Sequence, residues 1–270
     1  MKQKRLLIIM GIVASTAFTS CISNDLGLET GGSLNINLNP RNDFVQTRAL
    51  SESSYRNTSN YRVKVVSTSN NSIVIDCLAS ELSNNLPKTM PIGTYEVSAT
   101  YGNEHAASRD EFLMTGSSVV TVKGDETTTA TVDCSPTCGR VSVEFGQNMT
   151  SYFSDYNVVF GGTKLLNGNT FAWSKTDTEP WYVGLDSEGE TITYTITLTA
   201  KDDFVFENNS SDQNTHTVTG SFNLSRNCAH KLTVNASYNP SSEGGLGITI
   251  TIDDSTNDTP IDITIPISWT

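Results

Sequence analysis

The chain has 270 residues, with 29 acidic against 17 basic side chains and a formal charge of −12. So large an excess of negative charge repels phosphate backbones and argues against nucleic-acid binding. The length suits one large or two small domains.

Residues 1–5 (MKQKR) carry three positive charges and residues 6–18 (LLIIMGIVASTAF) are apolar. This apolar run fits the roughly 7–15-residue core of a secretory signal and falls short of the ~20 residues that a spanning helix needs. Thr19 and Ser20 follow, and "FTSC" resembles a bacterial lipobox in which Phe18 stands where Leu is more usual. Residues 1–20 are therefore read as a lipoprotein signal peptide and Cys21 as the lipidated residue. An ordinary signal beside a free thiol, or a stop-transfer anchor, are the alternatives. A buried methylene contributes ~0.8 kcal/mol, so one acyl chain binds a membrane marginally and several bind it stably. The formal −12 charge less the positive charges of Lys2, Lys4 and Arg5 leaves −15 for the chain from Cys21 onward.

Residues 21–30 read as a polar tether, after which period-two alternation predicts strands almost continuously. "SLNINLN" puts Leu34, Ile36 and Leu38 on one face. "YRVKVVS", "SIVID", "TYEVSATY", "SSVVTVK" and "TATVD" follow, with "DCLASELSNN" a short helix or turn. "PTCGR" (136–140) marks a boundary. "RVSVEF" then aligns Val141, Val143 and Phe145, and "TITYTITLT" aligns Ile192, Tyr194, Ile196 and Leu198. "NVVF", "KLTVNAS", "ITITID" and "IDITIPI" complete the second half, with "MTSYFSDY" a further short helix or turn. Thr and other β-branched residues suit half-exposed pleated surfaces. The fold class expected is all-β, as two tandem antiparallel β-sandwich domains over residues 31–136 and 137–270. A faint repeat supports two units: 117–135, turning at "KGDETT", and 217–237, turning at "SRNCAH", each read as a closing hairpin.

No nucleophile elbow, zinc-protease helix, phosphate loop or dinucleotide fingerprint is present, so the chain is read as non-enzymatic, with no cofactor. His105, His216 and His230 lack partners at ligand spacing and read as surface or edge residues. "GGLG" (244–247) reads as a loop, "DSEGE" (186–190) as a hairpin turn and "DDSTND" (253–258) as a solvated turn without the alternating acids of a calcium loop. No metal site is assigned. Cys77, Cys134, Cys138 and Cys228 permit two disulfides in any of three pairings, or four free thiols.

Two places carry candidate recognition chemistry. "FAWSKTDTEPWYVGL" concentrates aromatics, and Trp173, Trp181 and Tyr182 are either core or a platform on which glycans stack. The last strand, with Ile261, Ile263, Ile265 and Ile267, either pairs inside its own domain or adds to an open edge of another subunit. Pro266 confines it to an edge or a strand's end.

"PIGTYEVSATYGN" (91–103), "SSVVTVKGDETTTATVDC", "GRVSVEF" and the opening "GGSLNINL" resemble Bacteroides-type surface lipoproteins of unassigned function. "LGITITIDDSTNDTPIDITIPISW" is similar to the ending of fimbrillin-like and cell-adhesion proteins of such bacteria. The resemblance implies two sandwiches of transthyretin-like Greek-key topology, an outer-membrane lipid anchor at the cell surface, and adhesion or a pilus-accessory role with other pilus subunits or glycans as partners. It also suggests protease sites at Arg41 or Arg48, and it makes Asp254-Ser255-Thr256 similar to a glycosylation motif. It supplies no catalytic residues.

Overall fold

The computed structural model describes the backbone of residues 31–42, 44, 52–202, 204–206, 214–239, 245–253 and 259–269. Cys21, the signal and tether residues, Arg48 and residues 254–258 lie outside the described residues. The first half contains β1 (Gly31–Pro40), β2 (Arg62–Ser67), β3 (Ile73–Leu78), α1 (Ala79–Leu82), β4 (Lys88–Pro91), β5 (Gly93–Tyr101), β6 (Ala107–Ser108), β7 (Met114–Val122) and β8 (Thr127–Pro136). The second half contains β9 (Cys138–Phe145), α2 (Met149–Tyr152), β10 (Phe153–Gly161), β11 (Phe171–Ser174), β12 (Trp181–Gly184), β13 (Glu190–Ala200) and β14 (Phe204–Phe206). It ends with β15 (Thr215–Leu224), β16 (Ala229–Asn239), β17 (Gly245–Asp253) and β18 (Thr259–Trp269). The fold is all-β and sandwich-type, and each helix is a single turn.

Alternation places the core as the sequence pattern requires. Ile192, Tyr194, Ile196 and Leu198 are buried along β13 while the threonines between them face outward or sit half-covered. Two hydrophobic clusters result. One gathers Leu34, Val63, Val97, Met114 and Val132, and the other Val141, Phe160, Trp173, Ile196 and Val234. The expected division near residue 136 is crossed both ways. Cys138 and Tyr182 lie in the first cluster, and Ala106 and Ala107 pack on the second.

The sandwiches share one plan. In the first, β3-β2-β5-β7 continues into β8-β1-β4, touching between β7 and β8 only at Met114–Pro136 and Thr115–Ser135. In the second, β11-β10-β13-β15 faces a sheet containing β16-β9-β12. The pairing is not wholly antiparallel, as the pattern alone suggested. β1 runs parallel to β8, and β9 parallel to β16. Parallel neighbours need a long crossover, and here the crossover is the rest of the sandwich.

Two turn expectations change. The 117–135 and 217–237 segments are not hairpins. For most of their length β7 and β8 belong to facing layers, and β15 and β16 lie in separate sheets. Residues 186–190 likewise carry the chain from β12 in one sheet to β13 in the other. Gly245–Gly247, expected as loop, begin β17.

The repeat is strongest at these arches. Asp125 and Asn227 each stand three residues past the end of their strand, at φ 57° and 59°. The Asp125 N–H donates to Gly31 O (3.1 Å) and the Asn227 N–H to Cys138 O (2.9 Å). The next residue's carbonyl accepts in turn: Ser33 N–H donates to Glu126 O (2.8 Å) and Arg140 N–H to Cys228 O (2.9 Å). Gly32 and Gly139 lie beneath. A Cβ on Gly32 would stand 1.9 Å from Lys123 O, and one on Gly139 2.5 Å from the Leu224 side chain. The closeness of the overlying chain, rather than a special dihedral, is what requires glycine there.

Candidate functional site

The aromatic segment lies at the waist between the sandwiches. β11 and β12 place its rings, and residues 102–113, which join β5 to β7, cross from the first half to hold them. β6 pairs with the outer edge of β12, matching Ser108 to Tyr182 and Ala107 to Val183. Gly184 N–H donates to Ala106 O (3.1 Å) and Leu185 N–H to Thr137 O (3.3 Å).

Arg109 is the centre of the arrangement. Its guanidinium carbon lies 5.2 Å from the Trp173 ring centroid and 4.6 Å from that of Trp181. Nη2 donates to Asp177 Oδ2 (2.8 Å) and to Ala172 O (3.2 Å). Trp181 Nε1 donates to the same Ala172 carbonyl (3.0 Å), and Ser174 N–H donates to the same Asp177 oxygen (2.8 Å). Burial pushes the Asp177 carboxyl up, but the Ser174 N–H and the Arg109 cation outweigh it and hold the group below the ordinary aspartate value.

Trp173, Trp181 and Tyr182 therefore do not present one flat exposed face. Trp173 is 2% exposed in the second core, and Tyr182 is 1% exposed and points into the first. The Tyr182 ring lies 4.7 Å from Phe112 and 5.8 Å from Phe44, and Phe112 stacks on Tyr55 at 4.0 Å. Trp181 is half-buried, with Arg109 over its ring. The strand pleat explains the split, since consecutive residues 181 and 182 must face opposite sides. The physical role of the cluster is to clamp the two halves.

The other sequence candidates fall elsewhere. The backbone of the Ile261–Ile267 strand is described: β18 pairs antiparallel with β17 and also carries β14, matching Ile250 to Ile261 and Val205 to Ser268. Arg41 is exposed and pairs with Asp133 (3.3 Å). The histidines occupy different surroundings. His105 bonds Glu111 at 2.8 Å, whereas His230 is buried, edge-on to Phe222 at 5.2 Å, and is not the surface residue expected. No disulfide joins any of Cys77, Cys134, Cys138 and Cys228. Burial pushes the Cys134 thiol up to about 11, which leaves it unreactive at neutral pH. Among the described residues no three His, Cys, Asp or Glu side chains gather to hold a metal ion.

Sequence reasoning missed Arg109. Its partners Ala172 and Asp177 lie 63 and 68 residues away, so no local spacing could have announced it.

Residues 30–267 match a family described as a domain of unknown function, DUF4493. No curated protein matches the chain. Among solved structures the chain is similar to a fimbrial assembly protein from Parabacteroides distasonis. The two are 10% identical, the match covers 86% of this chain and 99% of that one, and the TM-score is 0.46. It is also similar to the fimbrial anchor protein Mfa2 from Porphyromonas gingivalis, at 10% identity, 83% and 98% coverage and a TM-score of 0.37.

Proposed function

The chain belongs to the DUF4493 family, and from that premise we propose that it is a cell-surface protein, lipid-anchored at Cys21 to the outer membrane, with a non-enzymatic adhesion or pilus-accessory role. The carrying observation is the terminal pair β17–β18. It extends the sheet beyond β16, whereas among the described residues the corresponding edge of β8 meets only the end of β7, at Pro136 and Ser135. The terminal pair is thus an addition to a sandwich that already has the seven strands of its counterpart. A terminal strand on an otherwise complete sheet is suited to exchange, because backbone hydrogen bonds give affinity to any open edge and alternate side chains give selectivity. Ile261, Ile263, Ile265 and Ile267 supply the alternation. The partners on this reading are other surface or pilus subunits. A glycan platform on Trp173, Trp181 and Tyr182 gains no support, because two of the three rings are buried.

The test is electrophoresis of the membrane-extracted protein without boiling, beside a variant lacking residues 259–270. Ladders, or a stable complex with a second envelope protein, that vanish with the deletion are expected. Identical monomer bands from both proteins, both retained by the membrane, would remove the exchange role and leave only the anchor.

A further inference from the structure

The first sandwich has one end remote from the waist. The β2–β3, β4–β5 and β7–β8 connections meet there, and Gly31, paired with Pro91, brings the chain in beside them. Ile92, 55% exposed, and Ile73, 49% exposed, border one cleft of about 210 Å³. No residue lining it is charged and its rim is Ser69, Asn70 and Ser72, while the adjoining β7–β8 connection exposes Lys123, Asp125 and Glu126.

Ten residues, 21–30, separate the lipidation position from this tip. Ten residues of chain reach at most roughly 33–36 Å. The nine residues of β5 alone extend about 30 Å, so the tether always holds the tip near the lipid, while the waist approaches it only when the sandwich lies along the membrane. We propose that this tip is a membrane-contacting surface, with Ile92 and Ile73 seated in the lipid headgroup–acyl boundary and the second sandwich directed outward. The inference rests on the lipid anchor proposed above. Two exposed apolar side chains bordered by hydroxyl and amide groups are compatible with an interfacial position.

The experiment uses the full lipidated protein with Cys228→Ser, which removes the exposed native thiol. Ile92→Cys, Ile73→Cys or Leu165→Cys then carries a fluorophore. The protein is reconstituted in phosphatidylethanolamine–phosphatidylglycerol vesicles containing headgroup spin-labelled lipid, and mass spectrometry establishes acylation of Cys21. At least three-fold stronger quenching at 92 and 73 than at 165 is expected, falling to the level at 165 when Ile92→Asp is combined with Ile73→Cys. Equal quenching at all three positions on acylated protein overturns the tip contact and spares the anchor. Crosslinking of copies through residue 92 without quenching overturns it in favour of a second copy. Absence of acyl groups on Cys21 removes both readings.

Discussion

The two sandwiches place equivalent strands in equivalent order and turn at the same left-handed residue, Asp125 in one and Asn227 in the other. They differ in what surrounds that plan. The Gly31 end of the first lies away from the waist, whereas the Cys138 end of the second is pressed into it. Among the described residues the β8 edge is paired only at its end, while the β16 edge carries β17 and β18. One scaffold thus serves two situations, and the specialisation lies in edges and arches rather than in the cores.

The glycines beneath the arches offer the strongest way to break this equivalence. Gly32→Ala forces a methyl against the Lys123 carbonyl, which cannot move without unseating the arch, and a loss of about 3 kcal/mol or more is expected. Gly139→Ala meets a side chain first, that of Leu224, and is expected to cost about 1–2 kcal/mol. Calorimetric unfolding of the two variants should show that order, and equal losses would mean that the arches are equally pliant.

The waist provides the next largest effect. Arg109→Ala removes two cation–π contacts and a partly buried ion pair, a loss of about 2 kcal/mol. Amide exchange should quicken in residues 171–184 and leave β2 and β5 unchanged. Arg109→Lys should restore only part of the protection, since an ammonium neither stacks between two indoles nor spans two acceptors.

The smallest effect is a pH dependence. Asp177 is held below its ordinary value, so its contribution is complete above the unfolded aspartate pKa, about 3.9, and is lost as pH falls through the folded value. Partial exposure limits it to roughly 1 kcal/mol or less. Protection of residues 171–184 should weaken only in acid below about pH 4, and Asp177→Asn should show the weakened level at every pH.

Strands were readable because a half-buried strand writes its environment into every second residue, as Ile192 to Leu198 do. Sheet membership was not, because alternation marks a strand and its turn without saying whether the chain folds back beside itself or passes to the facing layer. This is why "KGDETT" and "SRNCAH" read as hairpins. The repeat is faint in the sequence for a related reason: what it preserves is a left-handed residue, two backbone bonds and a space for glycine, and several residue types satisfy the first of these. The aromatic segment was conspicuous, but its role depended on an arginine brought from the other half of the molecule.

Residues 102–113 belong by sequence to the first sandwich, yet β6 finishes the rim of the second sandwich's sheet and Arg109 covers its indoles. Severing the chain at residue 136 would leave the downstream piece with a raw β12 margin and the Tyr182 ring stripped of Phe112. The unit that could be transplanted intact is therefore larger than the unit that repeats.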